Sequence, residues 1–93
     1  MNKLEQVMYI CASEFNPSVK IGLIALLNEG EPMTTADLNN TLNLHKTFQN
    51  YQDLFEDFID AGLIRIVEMK TKAGITRQHF EICDVDSLIN SLD

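Results

Sequence analysis

Between positions 46 and 52 the chain carries Lys46, Thr47, Gln49, Asn50 and Gln52, a run rich in paired donors and acceptors. Gln and Asn can bond adenine bidentately, and Lys can reach a phosphate or a guanine, so the set is chemically fit to read base edges. The same residues would equally make an ordinary solvated helix face. A second group is cationic: Arg65, Lys70, Lys72, Arg77 and His79 account for five of the nine Lys, Arg and His residues of the chain. Local charge of this kind can grip phosphates, or it can keep an edge hairpin unpaired. A third group, Asp53, Glu56, Asp57 and Asp60, is acidic. It reads as a solvated face or as a surface for a basic protein.

Catalytic chemistry has little to work with. No Gly-rich phosphate loop, His-Glu-x-x-His or nucleophile elbow occurs, and the two His, His45 and His79, fall on different predicted elements. Cys11, Cys83, His45 and His79 lack the close pairing that metal ligation needs, so no metal site and no cofactor are expected. The two cysteines are far apart in apolar surroundings, which predicts buried reduced thiols rather than a disulfide. The chain is expected to bind rather than to catalyse.

Net charge is −7, from seven Lys plus Arg against fourteen Asp plus Glu. Binding to nucleic acid then depends on how the cations are distributed, because phosphate neutralisation supplies most non-specific affinity. Ninety-three residues suffice for one domain, taken as 1–93. The longest apolar run, at 21–27, is far short of the roughly 20 residues of a membrane span. The first residues lack the pattern of a secretory signal, and a cytoplasmic location is expected.

The elements that must position these groups follow from periodicity and punctuation. Leu4, Val7, Met8, Cys11 and Phe15 recur at helical steps and predict a helix over 2–14. Asn16-Pro17 caps and opens a second, mostly buried helix that ends at 28–32. Thr34 with Asp37 predicts a capped third helix to about Leu42, with Asn43 left-handed and Leu44 turned back toward the core. A fourth helix is expected over 45–61, its inner face formed by Phe48, Tyr51, Leu54, Phe55, Phe58 and Ile59, with Gly62 as terminator. Residues 63–69 and 75–82 then read as a β-hairpin, and Asp84 or Asp86 caps a last helix bearing Val85, Leu88, Ile89 and Leu92. The order is α+β.

The stretch from Asn16-Pro17-Ser18-Val19-Lys20-Ile21 to Phe80-Glu81-Ile82, about three quarters of the chain, resembles the winged helix-turn-helix of bacterial regulators such as the MarR and ArsR families. The matching features are the Asn-Pro opening, Gly30-Glu31-Pro32-Met33-Thr34, Ala36-Asp37-Leu38, and Phe55, Phe58 and Gly62-Leu63-Ile64 ahead of a hairpin. Two features depart from the usual pattern. The connection from Leu44 to Tyr51 is about two residues longer, and the far half of the fourth helix is acidic where such regulators mix in Arg and Lys. The ArsR-type Cys-x-Cys metal box is absent, so no metal-sensing role carries over.

The resemblance implies a small transcription regulator that binds double-stranded DNA. Lys46, Thr47, Gln49, Asn50 and Gln52 would lie in the major groove, with Lys70, Lys72 and Arg77 on the backbone. The stripes Leu4, Val7, Met8 and Cys11 and Leu88, Ile89 and Leu92 offer more apolar surface than one small helical layer covers, and with the resemblance they predict a homodimer seamed along them. The alternative to a dimer is that the two terminal helices pack on each other within one monomeric chain. The alternative is an acidic winged-helix module of phage or plasmid type, or a DNA mimic, that binds a protein instead.

Overall fold

The computed structural model describes residues 1–92, which form six helices and a small antiparallel sheet in an α+β arrangement. Helix α1 (Lys3–Ala12) starts where the Asn2 side chain accepts from the Glu5 amide, and α2 (Pro17–Glu29) starts in the same way where Asn16 accepts from Val19. Pro17 suits the first helical position because its missing N–H would have had no partner there. Gly30 ends α2 at φ 68°, a left-handed conformation that costs glycine nothing.

A two-residue strand, β1 (Met33–Thr34), leads directly into α3 (Thr35–Leu42). Thr34 and Asp37 form a reciprocal capping box, each side chain bonding the other's amide at 3.0 Å. Asn43 closes α3 in the left-handed region, as its short polar side chain allows. The Leu44 amide completes that turn on the Asn39 carbonyl, but its side chain is exposed rather than turned to the core. The turn's hydrogen bonds hold the backbone of Leu44 without covering its side chain.

The single helix expected over 45–61 is two. Helix α4 (Phe48–Leu54) begins three residues late because Thr47 and Asn50 make a second capping box. Helix α5 (Glu56–Asp60) follows a break at Phe55, whose backbone leaves the helical region at φ −95°, ψ 8°. The hairpin strands β2 (Ile64–Lys70) and β3 (Thr76–Ile82) pair in register from Ile64↔Ile82 to Lys70↔Thr76, and α6 (Val85–Ser91) is capped by Asp84. Strand β1 adds to the far side of β3 through Met33↔Phe80 and Thr34↔His79, giving the order β1-β3-β2.

Phe80 ties the sheet to the helices. Its ring stacks on Phe48 at 5.2 Å and meets Phe55 edge-on at 5.6 Å and Tyr51 at 6.2 Å. Leu23, Leu38, Ile64 and Leu88 complete one buried cluster, and α6 packs on α1 through it. Leu27, Phe55 and Phe58 are also buried, while Ile24, Leu42 and Leu63 lie partly covered at the edge of the cluster. Both cysteines are exposed, contrary to the expectation of buried thiols. Cys11 falls on the outer side of α1, and Cys83 follows the end of β3.

Asn39 clamps the turn between α3 and α4. Its Oδ1 accepts from the Lys46 amide at 3.0 Å and from the Tyr51 hydroxyl at 2.7 Å, and its Nδ2 donates to the Lys46 carbonyl at 2.8 Å. Burial pushes the Tyr51 hydroxyl pKa above its usual value, and the hydroxyl is the donor in this network. Asn39→Ala removes all three bonds and should cost about 1–3 kcal/mol, with the loss concentrated in the α3–α4 turn. Urea unfolding measures the cost, and amide exchange at Lys46 and Tyr51 locates it. A variant as stable as the wild type would show that the clamp is dispensable.

Candidate nucleic-acid interface

The start of α4 and the hairpin border one face. A groove of 580 Å³ runs between Thr34, Thr35, Ala36, Asn39 and Phe48 on one side and Thr71, Ile75, Arg77 and Gln78 on the other. No carboxylate lines it. Lys70, Lys72 and Arg77 are all exposed on the hairpin, whereas Arg65 is paired with Glu81 opposite it at 2.8 Å and is thereby neutralised. That is the only ion pair among the described residues.

The polar run on α4 is divided in its duties. Thr47 Oγ1 accepts from the Asn50 amide and Asn50 Oδ1 accepts from the Thr47 amide, so both acceptors hold the helix cap. Bidentate pairing with adenine needs the carboxamide oxygen as well as the NH₂, and the Asn50 oxygen already takes one bond in the cap, which fixes the direction of its side chain. Gln49 Nε2 donates to Asp53 at 2.8 Å. Gln52 is half-buried, as is Lys46, whose backbone Asn39 holds. The cap signal was present in the sequence as Thr47-x-x-Asn50, the same pattern as Thr34-x-x-Asp37.

Acidic residues occupy two places. Asp53, Glu56, Asp57 and Asp60 are exposed along α4 and α5, with Asp53 and Asp57 beside a groove floored by Phe15, Val19, Leu54 and Phe58. Glu29, Glu31 and Asp37 share a second groove, of 530 Å³, with Lys70 and Lys72. Sequence spacing gave no hint of that meeting, because the pairing of β1 with β3 is what carries the end of α2 to the hairpin. Lys70 and Lys72 therefore share their groove with acidic residues, whereas the groove that Arg77 lines has none.

No family model, curated protein or solved structure matches this chain. Function must therefore be argued from the site. The described residues contain no grouping of three or more His, Cys, Asp and Glu able to hold a metal, and no helix long and apolar enough to cross a membrane.

The expected dimer seam is split by the fold. Leu88 and Ile89 are 0% and 3% exposed within their own chain, so they are core residues and not an outer seam. The correction has a simple cause: α6 covers the inner side of α1, where Ile10 is fully buried. Val7 and Leu92 are half-covered at that junction. Leu4 and Met8, by contrast, are 69% and 61% exposed, and exposed Cys11 continues the same outer stripe.

Proposed function

We propose that the chain is a small DNA-binding transcription regulator of winged helix-turn-helix type, with α4 presented to the major groove and the β2–β3 hairpin as the wing. The observation that carries this reading is the carboxylate-free groove that sets exposed Arg77 beside the start of α4. The order α2, β1, α3, α4 and hairpin, with a three-stranded sheet, is compatible with it. In this reading Gln49 and Gln52 carry base preference, Thr47 and Asn50 hold the cap that aims them, and Lys46, Lys70, Lys72 and Arg77 meet phosphates. A second copy joined along Leu4, Met8 and Cys11 would present two α4 helices to one duplex.

Fluorescence anisotropy with random-sequence duplex at low salt tests the reading. Binding should weaken with rising salt, and replacing Lys70, Lys72 and Arg77 together with Ala should reduce the slope of log affinity against log salt by about 1 per contact removed. Arg77→Ala alone should cost more than Lys72→Ala, because Lys72 already faces Glu29 and Glu31 across a groove. No association at low salt would reject DNA as the partner. The exposed carboxylates of α4 and α5 favour a second reading in that event, a protein-binding module whose partner presents a basic surface to Asp53, Glu56, Asp57 and Asp60.

A further inference from the structure

The tip of the hairpin is a closed turn with an apolar and cationic surface. The Thr71 amide donates to the Ile75 carbonyl at 2.8 Å and the Gly74 amide to the Thr71 carbonyl at 2.9 Å. Met69 pairs with Arg77 across the ladder, so strand alternation puts Met69, Ile75 and Arg77 on one face. Met69 and Ile75 are 42% and 48% exposed, and Lys72 and Arg77 are exposed beside them. Lys70 and Lys72 share a groove with Glu29 and Glu31 but pair with neither, and Arg77 is in no ion pair.

The groove between the α1–α2 connection and the α4–α5 pair has the opposite character. Phe15, Val19, Leu54 and Phe58 floor a volume of 460 Å³, Phe15 and Leu54 being only half-buried, and exposed Asp53 and Asp57 border it. No Lys, Arg or His lines it, and neither carboxylate is in an ion pair. Asp53 takes one bond from Gln49. A single chain cannot bring groove and tip together. The groove lies at the base of the hairpin, where the Leu63 amide donates to the Phe58 carbonyl, and β2 carries the tip about 20 Å away from that point.

We propose that the hairpin tip of one copy docks in this groove of another, with Ile75 on the floor of Phe15 and Leu54 and with Lys72 and Arg77 against Asp53 and Asp57. The tip supplies in one element what the groove lacks, an apolar anchor flanked by cations, and its closed turn needs little further ordering on docking. Net charge of −7 opposes the meeting of two copies at long range, but physiological salt screens that repulsion beyond about 8 Å, so the local pairs decide it. The contact is small and therefore weak. Because tip and groove are different patches, copies join head to tail. The docking stands independently of DNA binding. Its regulatory consequence, that a docked tip is withheld from phosphates and that a duplex disperses the docked copies, rests on the function proposed above.

Two complementary full-length variants test the docking, both carrying Leu4→Lys and Met8→Lys so that α1 takes no part. The first loses the tip through Lys72→Gln, Ile75→Ser and Arg77→Gln and keeps the groove. The second loses the rim through Asp53→Asn and Asp57→Asn and keeps the tip. Every changed side chain is exposed, so both should melt as the wild type does, and Ile75→Ser and Asp57→Asn alone replace either set that does not. With the first variant isotope-labelled, the unlabelled second variant at millimolar concentration should shift the amides of Asn50, Leu54 and Asp57, and unlabelled first variant should not. Asp57→Asn in the labelled chain should weaken the contact by up to about fivefold, the scale of one exposed ion pair, and Ile75→Ser in its partner by about tenfold, the scale of a partly buried aliphatic side chain. Absence of shifts in the mixed pair would overturn the proposal. Equal shifts from the partner without a tip would also overturn it, since another surface would then fill the groove. A wild-type chain that binds duplex while the mixed pair shows no shifts removes this inference alone. Shifts in the mixed pair where no duplex binds remove the DNA reading alone, and loss of the shifts on adding duplex supports both.

Discussion

Replacing Leu88 with Asp is expected to unfold the chain rather than to release a folded monomer. Leu88 is fully buried between α6 and the rest of the core, and Ile89 beside it is nearly so. Truncating a buried Leu to Ala already costs about 2–5 kcal/mol. An uncompensated carboxylate at the same point adds a desolvation cost of several kcal/mol, or else it stays protonated at a comparable cost. A domain of this length has a total stability of only about 5–10 kcal/mol. Circular dichroism should show lost helix and no cooperative thermal transition. A folded, cooperative Leu88→Asp protein would mean that α6 does not close the core as described. Leu4→Lys with Met8→Lys is the complementary change, because both side chains are solvent-exposed on α1. That pair should leave the melting transition almost unmoved, and light scattering should show it monomeric if α1 joins two copies.

The contrast between Leu88 and Leu4 marks where sequence periodicity stops being informative. Leu4, Val7, Met8 and Cys11 form one stripe by spacing, yet Val7 and Ile10 turn inward while Leu4, Met8 and Cys11 turn outward. Helical period identifies an apolar side but not how much of it a neighbour covers. Caps behaved differently, since their chemistry is settled within four residues. Asn16 and Thr34 open helices, and Gly30 and Asn43 close them, where the sequence predicts. The same local logic applies at Thr47-Asn50, where the side chains read as base contacts hold the start of α4 instead. Strand β1 was not legible, because two residues cannot display an alternation.

The close approach of Phe55 to α2 was not legible either, because it is made to another helix. Gly22 is buried in the middle of α2, and its missing side chain lets the Phe55 ring lie against the helix backbone. A Cβ built on Gly22 would stand 2.7 Å from Phe55 Cζ and 2.8 Å from Cε1, far inside van der Waals contact. In isolation, Gly→Ala inside a helix gains about 1 kcal/mol. Here overpacking of a fully buried aromatic ring works against that gain, at about 1–3 kcal/mol, since Phe55 is held by Tyr51 and Phe80 as well and has little room to retreat.

Gly22→Ala is therefore expected to destabilise the chain despite its better helix propensity, and Gly22→Val to do so more strongly. Phe55→Ala should cost about 3–5 kcal/mol by leaving a cavity where α2, α4 and β3 meet. The decisive measurement is the pair. In a Phe55→Leu background the ring edge is gone, so Gly22→Ala should become neutral or stabilising, and the coupling energy from urea unfolding should be on the order of 1–3 kcal/mol. Additive effects would place the α2 backbone farther from residue 55 than described. A stabilising Gly22→Ala in the wild-type background would do the same.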